Sequence, residues 1–491
     1  MTIDRRALFR RAGAVAVAGA GIPAAAVAQS ASGAQTAPAA PAPKPPPPPV
    51  TRIIARYLAN ARYADLPAKV RKEGTRTLLN WVGCAVGGSR HETVDKAIAA
   101  LSPFSGAPEA NVLGRRERLD VLTATLINGI SSHIFDYDDT HLKTIIHPAG
   151  PVASAILALS QRRPVSGTAF LNALVLGCEI ECRIGNAVYP EHYAMGWHIT
   201  GSTGVFGSAA ACGKLLGLSE QQLVWALGIA ASQPVGLKIQ FGSMTKSFHP
   251  GRAAQNGLTA ALLAQQGYTA DEGALEGKDG WAQTLSTRVD WREATEGLGV
   301  RYEAALNTYK PFACGIVTHP GIDAAIQLRN ENRLTGAEVE TVELHANPLV
   351  QSLTGKTDPA TGLEGKFSIF HCVAVGLIFG AAGERQFSDA MVRDPRVVDL
   401  RTRVGLKLDA AVPPEKCDMV VRLKDGRVLT KHIEHALGSL EQPMTDPMLE
   451  TKFSDLARDV LPDAKARRLM DLCWNVEKLD DAGRIAVAAA V

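Results

Sequence analysis

The chain lacks an excess of either charge once its first residues are set aside. Lys and Arg number 52 over the 491 residues, against 49 Asp and Glu. Residues 1–28 contain four Arg and one Asp, so 48 residues of each sign remain beyond Ala28. Because no basic patch is left, the sequence argues against nucleic acid and against an anionic membrane as partners.

Paired cysteines are also absent. None of the eight cysteines belongs to a C-x-x-C pair, and most lie in apolar stretches. This pattern is typical of buried free thiols. They are Cys84, Cys178, Cys182, Cys212, Cys314, Cys372, Cys417 and Cys473.

A long apolar run is missing as well. Residues 12–28 form a short, Ala-rich run interrupted by proline, which makes a poor transmembrane helix. The run follows Arg5-Arg6 in a segment that resembles a twin-arginine export signal, and Ala26-Val27-Ala28 offers small residues for cleavage. We expect a signal peptide over 1–28, an Ala/Pro-rich linker over 29–50 and a periplasmic protein. A disordered basic tail is the alternative.

Aromatic residues are scarce, at 5%, whereas Gly and Ala are abundant, which favours closely packed helices. Four segments after residue 300 have strand character, and Asp425-Gly426 between the last two is a strong hairpin signal. The predicted fold class is mainly α, with a large all-helical domain over 51–300 and a smaller α+β lid domain over 301–438. Helices over 439–491 are expected to pack back on the helical domain. The predicted strands are 339–344, 404–408, 419–423 and 428–433.

Ionisable residues are concentrated between 132 and 147. Three histidines, three aspartates and two threonines fall within these sixteen residues, directly after an apolar helical pattern. A core does not accept so many ionisable groups without compensation. Either they are solvated at a helix end, or they face one another in a polar cleft with acid and base groups suited to proton transfer.

Three more loops carry polar residues at predicted helix starts, where helix N-termini favour anions. They are 196–201 with His198, 242–252, and 309–314 leading to His319. In the second loop, His249-Pro250-Gly251 is expected to open a helix. The cations Lys246, Lys310 and Arg252 suit a di- or tricarboxylic acid, and the histidines suit proton transfer near neutral pH.

Each of these residues, taken singly, is more often structural than functional. A histidine beside proline is usually a satisfied structural group, and a lone lysine in a polar loop is usually solvated. A metal site made by His133, Asp136 and His141 is a minor alternative, because the spacing matches no strong template. Residues 201–207 lack the strand and the Lys-Ser/Thr of a phosphate loop.

The joint motif set resembles the MmgE/PrpD family, which includes 2-methylcitrate dehydratase and cis-aconitate decarboxylase. The motifs are DYDDTH with a downstream His-Pro, GWHITG, SMTKSFHPGRAAQNG and LEGKFSIFH, within about 52–475. The resemblance implies a helical main domain, an α+β lid domain and a homodimer. It also implies action on small polycarboxylates with no metal, iron–sulfur cluster or organic cofactor.

The resemblance also implies site residues, carried over motif by motif. The family's FSxxY tyrosine is replaced here by His371, which can change charge where a tyrosine stays neutral, so substrate or reaction can differ. The catalytic residues implied by the resemblance are Asp136, Thr140, His147, His198, Lys246 and His319, and His371 is added to them at the position of the tyrosine. The substrate-binding residues are Lys246, Lys310, Arg252 and Ser243, and no metal ligand is expected.

The expected function is a cofactor-independent lyase that dehydrates a small hydroxylated di- or tricarboxylic acid. His147 or His198 would take the proton, and Lys246 would stabilise the carboxylate. Decarboxylation, epimerisation or isomerisation of a related acid is the enzymatic alternative. A periplasmic carboxylate-binding protein and a metal hydrolase are the alternatives from other classes.

Overall fold

The computed structural model describes residues 48–491, and helices make up most of this part of the chain. The predicted signal peptide and most of the predicted linker fall outside the described residues. The helices are α1 (Val50–Asn60), α2 (Ala68–Gly88), α3 (Glu92–Leu101), α4 (Val121–His133), α5 (Ala149–Leu159), α6 (Gly167–Val188), α7 (Glu191–Ala194), α8 (Ile199–Leu216), α9 (Glu220–Ala231), α10 (Thr245–Gln265), α11 (Trp281–Leu285), α12 (Trp291–Thr295), α13 (His319–Asn332), α14 (Pro348–Thr354), α15 (Gly362–Gly365), α16 (Ile369–Phe379), α17 (Asp389–Val392), α18 (Pro395–Arg401), α19 (Asp446–Ala457), α20 (Asp463–Trp474) and α21 (Gly483–Ala489).

Strands form three small sheets. The largest sheet of the described residues is made by β5 (Val339–Ala346), β6 (Val404–Leu408), β7 (Cys417–Leu423) and β8 (Val428–Ile433). Its strand order is β6-β5-β7-β8, in which β5 and β6 run parallel and the other neighbours antiparallel. Gly426 has φ +89° in the turn between β7 and β8, so the predicted hairpin is confirmed. The other strands are β1 (Ala110–Asn111), β2 (Arg118–Leu119), β3 (Asp139–His141) and β4 (Asn307–Tyr309).

The larger hydrophobic core lies among α1–α12 and the C-terminal helices. Helices α6, α8 and α10 approach one another closely because small residues face each other at the crossings. A Cβ on Gly207 would lie 3.0 Å from the carbonyl oxygen of Gly177, and one on Gly257 would lie 2.4 Å from Cβ of Ser208. The abundance of Gly and Ala therefore serves close helix packing, as the composition predicted.

A second, smaller core lies between α13, α16 and the four-stranded sheet. Along β7, Cys417, Met419, Val421 and Leu423 are buried and alternate with more exposed residues, which is the period of a half-buried strand. The fold class is therefore confirmed: a mainly helical protein with a smaller α+β part.

The C-terminal helices pack on the first part of the chain. Phe453 of α19 contacts the surface left bare by Gly83 of α2, where an added Cβ would lie 3.0 Å from the phenyl ring. Leu456 packs against Gly87 one turn further along. The larger core thus combines residues from both ends of the described chain.

Two other predictions can be compared with the described residues. All eight cysteines are free and buried, as their apolar surroundings indicated. No helix over residues 48–491 is long and apolar enough to cross a membrane.

The start of α10 differs from the sequence prediction. The helix begins at Thr245, and Pro250 lies inside it rather than opening it. The proline removes the N–H that would bond the carbonyl of Lys246. The helix continues past the proline, and Gly251 packs directly on Gly129 of α4, where an added Cβ would lie only 2.3 Å from the Gly251 Cα.

Candidate active site

Pairing of β3 with β4 brings together two segments that are far apart in sequence. Thr140 lies opposite Thr308 in this antiparallel pair, and the Thr308 hydroxyl donates to the Thr140 carbonyl at 2.7 Å. Lys310 directly follows β4, so the pairing carries its side chain to the loop between α4 and β3. That loop holds Asp136, whose φ of +50° is rare for a residue other than glycine.

Asp136 is held by two buried ammonium groups. Its Oδ1 accepts hydrogen bonds from Lys310 Nζ at 2.5 Å and from Lys246 Nζ at 3.0 Å. Burial alone would raise the pKa of the Asp136 carboxyl, but the two lysines hold it well below its usual range. The other oxygen, Oδ2, has no hydrogen-bond partner among the described residues, so it can accept one from a ligand.

A second chain of hydrogen bonds runs through His133. Its Nδ1 lies 2.5 Å from Asp138 Oδ2, and its Nε2 lies 2.7 Å from Lys246 Nζ. Because a carboxylate only accepts and an ammonium only donates, His133 carries its proton on Nδ1. Burial lowers the pKa of His133 although Asp138 opposes it, so the imidazole is neutral and fixes the position of the Lys246 ammonium.

His147 presents a free nitrogen to the same place. Its Nδ1 donates to the carbonyl of Asp139 at 2.7 Å, with the Thr140 hydroxyl at 3.2 Å. The proton therefore sits on Nδ1, and Nε2 keeps its lone pair. Burial, followed by the charge of Lys310, holds the pKa of His147 well below its usual range, so the imidazole is neutral.

His198 precedes α8 and pairs with a second histidine. Its Nδ1 lies 2.9 Å from Nδ1 of His249, so one ring donates and the other accepts. The Nε2 of His198 is buried and has no partner among the described residues. Burial and the charge of Lys246 hold the pKa of His198 well below its usual range.

These groups surround one enclosed space, which we call the inner cavity. Phe241 and Phe367 stack at 5.4 Å on one side, and Lys246 Nζ lies 5.3 and 5.5 Å from their ring centres. The cavity volume is about 30 Å³, room for about two water molecules, so a larger ligand enters only when its walls move apart. The lining residues are Asp136, Ile145, His147, Tyr193, His198, Phe241, Lys246, Lys310, Gly315, Ile316, Val317, Leu353, Thr354 and Phe367.

The arrangement suits an anion better than a cation. Candidate ligand atoms of His133, His147 and His198 do lie within 4.8 Å of one another, as a metal site requires. However, both nitrogens of His133 are already engaged, one of them by the ammonium of Lys246, which would repel a metal ion. The proposed ligand His141 instead bonds Glu303 and Thr144 at 3.1 and 2.7 Å.

The structure brings five of the predicted residues to the inner cavity and sets the others apart. Ser243 lines a smaller cavity on the other side of Lys246, and Thr140 contacts His147 from behind. The lining residues among the predictions are Asp136, His147, His198, Lys246 and Lys310. Their catalytic or binding roles remain predictions.

Three more predicted site residues lie outside this lining, and their roles also stay predictions. Arg252 bonds Gln255 and packs on Phe248, because it lies six residues beyond Lys246 on α10, about 1.7 helical turns, and so points from a different face of the helix. His371 is fully buried, and its Nε2 bonds the carbonyl of Gln386 at 2.8 Å. His319 lies at the start of α13, packs on Phe312 at 5.2 Å, and lines a different cavity.

Sequence reasoning missed several residues that shape the site. The sequence indicates His133 only as a candidate metal ligand and does not single out Asp138, although His133 positions Lys246 and Asp138 holds His133. No sequence signal pointed to Phe241 or Lys452, and Phe367 lies in the LEGKFSIFH motif without being singled out, because these residues reach the site through tertiary packing.

Lys452 of α19 contacts both the segment that contains Asp136 and the segment that contains Lys310. Its ammonium donates to the carbonyls of Tyr137 and Lys310 at 2.5 and 2.8 Å and to Asn80 Oδ1 at 2.8 Å. Burial lowers the pKa of Lys452 to about 8. Helix α19 therefore fixes the backbone next to Asp136 and at Lys310.

We expect Lys452→Met to destabilise the protein by about 3 kcal/mol, because three buried oxygen acceptors lose their donor. Turnover per folded molecule should fall more than about ten-fold as the loops relax. Urea unfolding measures the loss of stability, and steady-state rates measure the loss of turnover.

The control is Lys424→Met, which removes an exposed lysine bound to the Ala337 carbonyl and should change stability by less than about 0.5 kcal/mol. Equal effects of the two variants would contradict the role of Lys452.

Asp139 is buried next to the site but does not line the inner cavity. Its carboxylate accepts a hydrogen bond from the first turn of α5. Its Oδ2 accepts from the Ala149 N–H at 3.0 Å and from Asn307 Nδ2 at 2.8 Å. Burial, together with the negative charge of Asp138, raises the pKa of Asp139 to about 7. The folded protein therefore holds this proton more tightly than the unfolded chain does.

The stability that Asp139 contributes is complete below about pH 4 and is lost as the pH rises to about 7. Asp139→Asn keeps the acceptor oxygen but does not titrate. We expect this variant to flatten the pH dependence of the unfolding free energy in that window and to be about 2–4 kcal/mol more stable than wild type at pH 8. Asp455→Asn, at an exposed position, should follow the wild-type profile. An unchanged slope in Asp139→Asn would refute the assignment.

Comparison with known proteins gives the chain a family. Residues 52–294 match the MmgE/PrpD N-terminal domain, and residues 312–476 match the MmgE/PrpD C-terminal domain. The chain is 28% identical over 461 residues to a cis-aconitate decarboxylase of Aspergillus terreus, covering 88% of this chain and 94% of that protein. Human cis-aconitate decarboxylase is 27% identical over 455 residues, covering 88% and 92%. A 2-methylcitrate dehydratase of Cupriavidus necator is 24% identical over 425 residues, covering 78% and 85%. The two matched domains span most of the sequence, and the chain belongs to the MmgE/PrpD family.

Proposed function

We propose that this protein is a cofactor-independent lyase that acts on a small di- or tricarboxylic acid, and that it dehydrates a hydroxylated one. The observation that supports this most is the inner cavity, where the ammonium of Lys246 faces the same space as the neutral imidazoles of His147 and His198. The relatives include decarboxylases and dehydratases, which makes a lyase reaction the natural choice.

His147 is the base in this proposal. Its Nδ1 proton is fixed on the Asp139 carbonyl, so Nε2 can take the proton next to a substrate carboxylate. Charge then builds on the carboxylate oxygens, and the Lys246 ammonium stabilises it. Because Lys246 is already held by Asp136 and His133, little reorganisation is needed when that charge develops.

His198 and Asp136 complete the reaction. A bound polycarboxylate raises the pKa of the nearby imidazoles, so His198 can hold a proton on Nε2 and pass it to the departing hydroxyl, which leaves as water. The free Oδ2 of Asp136 accepts a hydrogen bond from a substrate hydroxyl. Lys310 keeps Asp136 ionised and assists in binding the substrate's carboxylates.

Decarboxylation is the second candidate, because cis-aconitate decarboxylases match more of the chain at higher identity than the dehydratases do. Loss of carbon dioxide would leave the same stabilised carbanion, which an imidazolium then protonates. Epimerisation or isomerisation would return a proton to that carbanion with no group lost. The same residues therefore serve every variant of the proposal.

Product analysis by NMR in deuterated water distinguishes these reactions. The purified protein is incubated with a panel that includes citrate, 2-methylcitrate and cis-aconitate. Dehydration gives an alkene with loss of the hydroxyl, decarboxylation gives carbon dioxide and a deuterated product, and epimerisation gives deuterium exchange alone. Tight binding of an acid with no product after long incubation would instead support a carboxylate-binding protein.

A metal hydrolase makes a different prediction that is quickly tested. Our proposal expects full activity after dialysis against a chelator and no stoichiometric metal in the purified protein. Loss of activity on chelation, with recovery on adding a divalent ion, would contradict it.

We also propose a periplasmic location and a homodimer. The first rests on Arg5-Arg6 and the small residues before Gln29, and the second on the resemblance to the family. Cell fractionation tests the first, since Arg5→Lys with Arg6→Lys should leave the protein in the cytoplasm. Light scattering of the purified protein tests the second.

A further inference from the structure

A second, larger cavity adjoins the inner cavity. Its volume is about 450 Å³, against about 30 Å³ for the inner one, and this size is typical of small-molecule sites. Three apolar residues, Ile145, Ile316 and Val317, line both cavities. We call the larger space the outer cavity and these three residues the partition.

The walls of the outer cavity are mostly apolar, and its charges lie at the mouth. Leu142, Leu349 and Leu437 are partly buried in the walls, whereas Lys143 and Glu441 are exposed. A cavity with an apolar interior and a charged opening favours an apolar group over a second carboxylate, because burying an unpaired charge is costly.

One polar group inside the outer cavity is free to meet a ligand. His319 is only 2% exposed, and neither of its ring nitrogens has a hydrogen-bond partner among the described residues. Buried polar groups are normally satisfied. An unsatisfied imidazole in the wall of a cavity is therefore a second sign that a ligand occupies this space.

The partition has an unusual backbone. Ile145 has φ +60°, which a β-branched residue rarely adopts. Its N–H donates to the His141 carbonyl at 2.8 Å, which holds the residue between the two cavities. The structure thus keeps a bulky apolar side chain at the one place where the polar and apolar spaces meet.

We infer that the substrate carries an apolar arm of several carbons, which passes the partition and lies in the outer cavity while its carboxylates bind in the inner cavity. This inference rests on the proposed function and narrows it to alkyl- or aryl-substituted polycarboxylic acids. The two cavities are adjacent because they share three lining residues, and this adjacency supports an arm of the same molecule rather than a separate ligand.

Calorimetric titration with succinate and with methyl-, butyl- and hexylsuccinate tests the arm without requiring turnover. Each buried methylene strengthens binding about four-fold. Because partial burial lowers this gain, we expect hexylsuccinate to bind at least about 30-fold more tightly than succinate. An affinity that is independent of chain length overturns the inference but leaves the proposed carboxylate site standing. Failure of all four acids to bind contradicts both.

Variants that fill the outer cavity test whether the increase of affinity with chain length arises there. Leu349→Trp should remove the gain with chain length and leave succinate affinity within about two-fold, because Leu349 does not line the inner cavity. Leu437→Phe should also reduce the gain in affinity with chain length, so it serves as a second variant if Leu349→Trp does not fold. The matched control Leu408→Trp, at a position on β6 that is 38% exposed, should keep the full gain in affinity with chain length.

If the variants that fill the outer cavity also keep this gain in affinity, the arm binds elsewhere and the inference fails. If they weaken succinate as strongly as hexylsuccinate, the outer cavity is an entrance rather than a binding site, and the inference fails again.

Discussion

His147→Asn is expected to lower kcat at least about 1,000-fold on the true substrate while leaving the fold intact. Asparagine can still donate an N–H to the Asp139 carbonyl from the position of Nδ1, which His147 uses at 2.7 Å. It lacks the lone pair at Nε2 that we assign as the base. General base catalysis contributes about 100- to 10,000-fold, and steady-state rates over a substrate range measure its loss.

The matched control for this prediction is His141→Gln. His141 belongs to the same segment and is equally buried, but it bonds Glu303 and Thr144 away from the inner cavity. Glutamine can keep the bond to Glu303 from the position of Nε2, so kcat per folded molecule should fall less than about three-fold. A His147→Asn enzyme that loses no more activity than this control would show that another group is the base.

Lys246→Met is expected to lower kcat about 100- to 1,000-fold and to raise KM for the polycarboxylate. The side chains have similar length, so packing against Phe241 and Phe367 is largely kept, and the change removes the ammonium alone. A preorganised group facing developing charge contributes about this much to the rate. His133 Nε2 and Asp136 Oδ1 also lose a shared donor, which should shift the acid limb of the pH–rate profile.

Lys238→Met is the matched control for Lys246→Met. Lys238 is a half-buried lysine whose Nζ lies 4.1 Å from the ring centre of Tyr193, but it does not line the inner cavity. Its loss should change kcat less than about three-fold and leave the pH–rate profile in place. Similar losses in both variants would mean that Lys246 acts through general electrostatics rather than at the reacting carboxylate.

Local patterns in the sequence were enough to predict much of the fold. The hairpin between β7 and β8 follows from Asp425-Gly426, where glycine adopts φ +89°, and the capping box of Ser219 with Gln222 marks the start of α9. These features depend on neighbouring residues, so they are visible in sequence. The start of α10 was placed too late because Pro250 normally limits a helix, and the close approach of Gly251 to Gly129 has no sequence signal.

The candidate site was predictable where a motif and a loop coincide. His147, His198 and Lys246 come from three loops at helix starts, and all three reach the inner cavity. Arg252 lies outside the lining of the inner cavity, which sequence distance from Lys246 does not reveal because it hides which way a helical residue points. The contact that fixes the backbone at Lys310 could not be predicted. Its donor, Lys452, is 142 residues away in sequence, and only tertiary packing brings the two residues together.

The most direct test of the account is a crystal structure with tricarballylate, a tricarboxylate that has no hydroxyl to eliminate. The account predicts the ligand in the inner cavity, with one carboxylate within hydrogen-bond distance of Lys246 Nζ, the carbon next to that carboxylate facing His147 Nε2, and the central carbon on the side of His198 Nε2. Density for the ligand at any other place, with the inner cavity holding only water, would contradict it.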